Sequence, residues 1–151
     1  MDVRHAELTD PRIVSLIHYH QRAMMAASPP GTSFALDLSG LIDPAVTVLA
    51  AWHGESLAAI GAVKRLGPGH AEIKSMRTHP AWLRRGAAKH LLEQIIAIAR
   101  REGISRLSLE TGSGPHFEAA LALYRRRGFA NGEAFADYRL TDFNQCLHLD
   151  L

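Results

Sequence analysis

Apolar and polar residues along this chain follow two rhythms, and the switches between them outline the fold. Val3 to Leu8 alternates as a short strand does. Thr9-Asp10-Pro11 then supplies a capping residue and a proline suited to a first helical turn, and Ile13, Leu16, Ile17 and His20 follow at helical spacing. Ser28-Pro29-Pro30-Gly31-Thr32 must break that helix, and a short helix is expected over Asp37 to Ile42. Three strand-like runs come next: Val46 to Trp52, Leu57 to Leu66 and His70 to Thr78. Turn residues separate them, so they predict a three-stranded antiparallel meander. Gly61, inside the second run, marks a bulge or a close backbone approach.

A Pro-containing connection leads from the meander into the strongest amphipathic pattern in the chain. Leu83, Ala87, Leu91, Ile95 and Ala99, flanked by Ala88, Leu92 and Ile96, form a wide apolar stripe. The stripe predicts a helix from about Leu83 to Arg101, ended by Gly103. Leu107-Ser108-Leu109 is a further strand. Thr111-Gly112-Ser113-Gly114-Pro115 leads into a helix over Pro115 to Arg127, with Gly128 placed as a terminating glycine. Phe129 onward and Asn144 to Leu151 supply the last strands. A meander followed by strand, helix, strand and helix predicts an α/β (α+β) fold. Its centre would be a mixed, mostly antiparallel sheet of roughly six to seven strands flanked by about four helices. Repeats and linkers are absent, so residues 1–151 are expected to form a single domain.

Composition narrows the function classes. Of the 151 residues, 47% are hydrophobic and 21% charged, a globular balance that excludes disorder. Net charge is only +2, and the positive charge is local, at Arg84–Arg85, Arg100–Arg101 and Arg125–Arg127. That clustering suits a small anionic ligand better than a nucleic-acid track. Cys146 is the one cysteine, which excludes an internal disulfide and a cysteine-built metal cage; its alternating surroundings predict a small buried hydrophobe. The nine histidines lack zinc-type spacing, so no metal is expected; His18 and His20, two apart, point to different faces of their helix. His79 before Pro80 reads as a turn residue. No apolar run approaches ~18 residues and no leader pattern is present, so no membrane partner and a cytoplasmic location are the expectations.

The candidate chemistry begins where the long helix does. A helix start leaves backbone N–H groups without partners and carries partial positive charge. Gly86, Ala87 and Ala88 keep side chains clear of those groups, while Arg84, Arg85 and Lys89 surround them with charge. This is a cradle for a diphosphate, although an ordinary solvated helix start has the same residues. The order strand, Arg-Arg-Gly-Ala-Ala, long helix resembles the acetyl-CoA-binding segment of the GNAT superfamily of N-acetyltransferases, whose motif reads Arg/Gln-x-x-Gly-x-Gly/Ala. Gly86 and Ala88 fall on the small positions, and Leu83 stands where the motif has Arg or Gln. The resemblance covers nearly the whole chain. Ile73-Lys74-Ser75-Met76-Arg77, Ser108-Leu109-Glu110-Thr111-Gly112 and Phe135-Ala136-Asp137-Tyr138 look like a small, largely uncharacterised bacterial subgroup.

The resemblance implies an acetyl-CoA N-acyltransferase fold and an enzyme that uses acetyl-CoA as co-substrate, without metal, to acetylate the primary amine of a small molecule or peptide. It implies that the strand before the cradle parts from its neighbour, so that Met76, Arg77 and Thr78 offer backbone groups to the pantetheine arm, with the Met76 N–H as oxyanion donor. Ala71-Glu72-Ile73 resembles the segment that carries the catalytic glutamate in histone-type members, which makes Glu72 the candidate base; a surface glutamate on a half-exposed strand is its structural alternative. Glu110 is the competing carboxylate. Leu123-Tyr124-Arg125-Arg126-Arg127-Gly128-Phe129 resembles the family's Leu-Tyr-x-x-x-Gly-Phe, which makes Tyr124 the candidate acid; a core tyrosine closing the helix on the sheet is the alternative. Phe117 stands where the family often has a cofactor-contacting asparagine, a contact that Ser113 or His116 could replace. Phe135, Asp137 and Tyr138 are placed on the acceptor side, and a homodimer through a sheet edge is compatible with the pattern. A non-catalytic CoA-binding regulatory module is the competing function. Nucleic-acid binding through the arginine clusters is set aside, because a helix C-terminus and the cofactor account for them.

Overall fold

A computed structural model describes residues 1–151. Seven strands form one sheet in the order β1-β2-β3-β4-β5-β7-β6. They are β1 (Asp2–His5), β2 (Val46–His53), β3 (Ser56–Gly67), β4 (His70–Thr78), β5 (Arg106–Thr111), β6 (Ala130–Gly132) and β7 (Gln145–Asp150). The helices are α1 (Pro11–Ala27), α2 (Leu38–Leu41), α3 (Ala87–Arg101) and α4 (Glu118–Arg127). All neighbours are antiparallel except β4 and β5, which run parallel. The mixed sheet and the helix count agree with the sequence pattern.

Local chemistry explains the helix ends. Asp10 caps α1 by accepting from the Arg12 N–H at 2.9 Å, with Pro11 in the first turn. Asp37 caps α2 in the same way through Gly40. Gly103 and Gly128 adopt left-handed conformations just beyond α3 and at the end of α4. The sequence places the start of α3 too early, however. Leu83 lies outside the helix and is 60% exposed, because Arg84 and Gly86 are both left-handed and the helix can begin only at Ala87. The buried stripe of α3 is therefore Ala87, Leu91, Leu92, Ile95, Ile96 and Ala99. The helix expected from Pro115 also begins later, after a tight turn over Pro115–Phe117.

Each sheet face has its own core. Leu91, Ile95, Val63, Ile73, Leu107, Tyr124 and Leu147 belong to the larger one, under α3 and α4. Ile13, Leu16, Ile17, Leu41, Val48, Trp52 and Ile60 form the smaller one, under α1 and α2.

The register of the sheet shifts in three places, between Ala51 and Trp52, between Ile60 and Ala62, and between Arg65 and Gly67, and the second of these shapes the cleft. Along β3 and β4, Ile60 faces Arg77 and Ala62 faces Lys74, so Gly61 alone opposes both Ser75 and Met76. This is a β-bulge, with Ser75 at φ 56°. The extra residue keeps Arg77 on the face of Glu72 and Lys74, where its Nε donates to His20 of α1. Met76 packs instead into the core under α3. Gly61 thus marks both a bulge and a close approach: a Cβ there would lie 2.4 Å from the Met76 Sδ and 3.0 Å from the Leu91 Cδ2. Gly61→Val is expected to destabilise the protein by about 1–3 kcal/mol through overpacking, read as a lowered denaturation midpoint at constant slope; an unchanged midpoint would show that Met76 has room to move.

Candidate active site

Strands β4 and β5 pair only from His70 to Glu72, against Arg106 to Ser108. Beyond that point β4 continues alongside β3 and β5 alongside β7, and the two strands separate. Ser108 closes the paired end, bridging His70 Nε2 and His148 Nδ1 at 2.7 Å each. The cleft in the gap has β4 residues Glu72 to Arg77 along one wall and β5 residues Leu109 to Thr111 along the other. Ala120 and Tyr124 of α4 line it too, as do His20 and Met24 of α1 and the segment Thr32 to Ala35. The strand opening implied by the sequence resemblance is therefore present. It leaves backbone groups of β4 without a sheet partner on that side, and the buried Ser75 Oγ has no partner either.

The start of α3, the helix that follows β4 in the chain, is suited to bind phosphate. Gly86 is its N-cap, at φ 81°, and no side chain caps the helix. Space is open around the Gly86 Cα. The first intrahelical bond that reaches Gly86 comes from the His90 N–H, so the N–H groups of Ala87, Ala88 and Lys89 are available to an anion. Arg84, Arg85 and Lys89 are exposed around them, and Arg85 stacks over Trp82 at 5.0 Å.

A tight polar cluster occupies the opposite face of β4. Glu72 is only 3% exposed, so it is not the surface residue of the structural alternative. Its Oε2 accepts from the Lys74 Nζ at 3.2 Å and from the Tyr138 hydroxyl at 2.5 Å, and Lys74 also donates to the Tyr138 oxygen at 2.6 Å. Burial and the adjacent Glu72 push the Tyr138 hydroxyl far up, so it keeps its proton and serves as a donor. Burial raises the Glu110 carboxyl above the usual range, against the lowering effect of the Asn144 amide at 3.2 Å. Tyr124 is buried in the α3/α4 core, and burial likewise raises its hydroxyl, with the Arg77 charge opposing. Burial pushes His20 down to about 3, with Arg77 adding to the effect.

The structure thus brings Glu72, Met76, Arg77, Glu110 and Tyr124 to one cleft, with Tyr138 bonded to Glu72 at its edge. Thr78 lies at the far end of β4, paired with Ala59. Phe135 is buried behind Tyr138, among His70 and His148, and does not line the cleft. Phe117, buried against Phe143, and His116 both line the cleft, and Ser113 bonds to Gln145. Leu83 contributes no polar group to the cradle. Cys146 is buried and His79 caps the turn after it, as their sequence surroundings suggest. Sequence reasoning missed Lys74, His20 and Phe34. Lys74 was within reach, since it sits two residues from Glu72 on the same strand face. No group of histidines, cysteines and carboxylates is placed to hold a metal ion, and no helix is long and apolar enough to cross a membrane.

The acetyltransferase (GNAT) family model matches residues 13–129. The chain is 47% identical over 145 residues to the uncharacterized N-acetyltransferase YedL of Escherichia coli, covering 96% of this chain and 91% of that one. It is 46% identical to the uncharacterized N-acetyltransferase YsnE of Bacillus subtilis, covering 91% of each. Among solved structures, a Bacillus subtilis acetyltransferase in complex with CoA superposes with a TM-score of 0.69 at 18% identity, covering 99% of this chain and 97% of that one.

The buried neutral His20 has a consequence for stability. Its folded pKa, about 3, lies below the ordinary 6.5, so the unfolded chain takes up the proton first. Its contribution is complete above about pH 6.5 and is lost as pH falls towards 3. A His20→Asn variant should therefore lose stability less steeply than the wild type between those limits, by up to ~1 kcal/mol per pH unit. Equal slopes in urea titrations across that range would contradict the assignment.

Proposed function

The chain belongs to the acetyltransferase (GNAT) family and is an N-acetyltransferase, and we propose that it transfers an acetyl group from acetyl-CoA to the primary amine of a small-molecule or peptide acceptor by direct attack on the thioester. The observation that carries this reading is a pair of unsatisfied backbone features on successive parts of the chain, the free edge of β4 and the uncapped start of α3. One supplies hydrogen bonds to an amide-rich arm and the other supplies N–H groups to a diphosphate. Acetyl-CoA contributes the activated acyl group; the protein contributes position, charge and proton transfer.

In this reading Ala87, Ala88 and Lys89 donate from the start of α3, with Gly86 leaving space and Arg84 and Arg85 adding charge. Met76, Arg77 and Thr78 offer backbone groups along β4, and the Met76 N–H donates to the acetyl oxygen as negative charge builds there. Glu72 removes a proton from the acceptor ammonium, directly or through water. Its Oε1 makes no protein hydrogen bond, while Lys74 and Tyr138 fix its Oε2. An amine is mostly protonated at neutral pH, so the nucleophile must first lose that proton. The new C–N bond forms as the C–S bond breaks, the nitrogen releases its second proton to water, and Tyr124 gives its proton to the departing thiolate and regains one from water. Its buried hydroxyl is protonated and lines the cleft. Glu110 is a second possible base, favoured by its raised carboxyl, whose basicity lies closer to that of the amine.

Two experiments test this reading. Gly86→Glu places a carboxylate at the cradle and should weaken CoA binding at least roughly 100-fold by calorimetry, about 3 kcal/mol; unchanged affinity would remove the cradle. Glu72→Gln should lower kcat roughly 100- to 10,000-fold, and Tyr124→Phe should also lower it. If the acid limb of the kcat/KM profile instead disappears in Glu110→Gln and survives in Glu72→Gln, Glu110 is the base.

A further inference from the structure

Arg77 differs from the other arginines that are partly buried. Arg65 has Glu102, Arg106 has Asp150 and Arg127 has Glu93 as carboxylate partners. Arg77 has no carboxylate. Its Nε donates to the His20 Nδ1 at 2.9 Å, its guanidinium lies 5.7 Å from the centre of the Tyr19 ring, and its two terminal nitrogens have no protein acceptor. A guanidinium stays charged throughout the physiological range, and a charge withdrawn from water needs a counter-charge. His20 cannot supply one, because it is held neutral and accepts through Nδ1. It orients the fork and leaves its outer edge free. Both residues line the cleft between β4 and β5.

The bulge at Ser75 sets where that fork points. It puts Arg77 on the face of β4 that carries Glu72 and Lys74, away from the core under α3. On the register, Glu72 opposes Lys64 and Arg77 opposes Ile60. Their backbones are therefore roughly 13 Å apart along the strand. Both side chains line the one cleft, and that separation matches a compact molecule with a cationic end and an anionic end.

We infer that Arg77, oriented by His20, receives a carboxylate of the acceptor, so that the acceptor is an amine that also carries a carboxylate. This rests on the acetyl-transfer reading above. The ammonium end lies towards Glu72 and the carboxylate pairs with the guanidinium fork in two parallel hydrogen bonds. Glu72 and Glu110 on the same floor oppose an anion of higher charge, which favours a carboxylate over a phosphate. Polyamines have no group for Arg77 and are excluded as preferred acceptors.

The test is thiol release from acetyl-CoA with a panel of free amino acids, each beside its carboxamide. The wild type should turn over at least one amino acid with a kcat/KM about 100-fold above that of its amide. Arg77→Gln should reduce that ratio to within a few-fold, mainly through KM, and Arg77→Lys should retain part of it. The wild-type ratio stands as a test even if a variant fails to fold. Amides used as well as acids, or an Arg77→Gln variant that slows both equally, would overturn the inference. Titration with acetyl-CoA alongside separates the two readings: binding with turnover of neutral amines only contradicts the carboxylate assignment alone, whereas absent binding contradicts acetyl transfer itself.

Discussion

Strands β4 and β5 exchange backbone hydrogen bonds over three residue pairs and then part, although each continues for several residues beside its other neighbour. Buried backbone N–H and C=O groups are nearly always paired in folded proteins, so an open edge inside a sheet is an unmet demand for a partner. The bulge at Ser75 and Met76 bends β4 at that point, and Gly61 makes room for it. The cleft and the exposure of the β4 backbone follow from this separation, and the direction of Arg77 follows from the bulge.

The two faces of the opened strand do different work. Towards α3 and α4, Ile73 and Met76 are apolar and Tyr124 is the polar group, a setting suited to a thioester and its sulfur. Towards α1, the strand carries Glu72, Lys74 and Arg77, joined by Glu110 and Tyr138, a setting suited to a charged acceptor. The sheet itself keeps the two sets apart except at the gap, where reaction requires them to meet. Phe34 packs edge-on against Tyr138 at 5.3 Å and lines the cleft.

Elements with strong periodicity were legible in the sequence. The stripe of α3, the Asp10-Pro11 start of α1 and the glycine end of α4 each rest on local chemistry that no distant contact overrides. Leu83 misled because it keeps helical phase with the stripe while the backbone at Arg84 and Gly86 is left-handed. Ser75 gave no local sign of the bulge; the sign was Gly61 on the neighbouring strand. The polar cluster was half legible: the motif around Glu72 was visible, but Tyr138 lies 66 residues from it and His20 lies 57 from Arg77. Such pairings depend on how α1 and the 133–144 segment pack over the sheet, and periodicity carries no information about that.

In the proposed function the free edge of β4 and the start of α3 bind CoA as one continuous surface. Residue-resolved amide hydrogen exchange with and without CoA tests it most directly. CoA is expected to slow exchange together in the β4 segment from Ser75 to Thr78 and in the segment from Gly86 to Lys89, and to leave β1 and β6 unchanged. Protection confined to other parts of the chain, or protection of only one of the two segments, would contradict it.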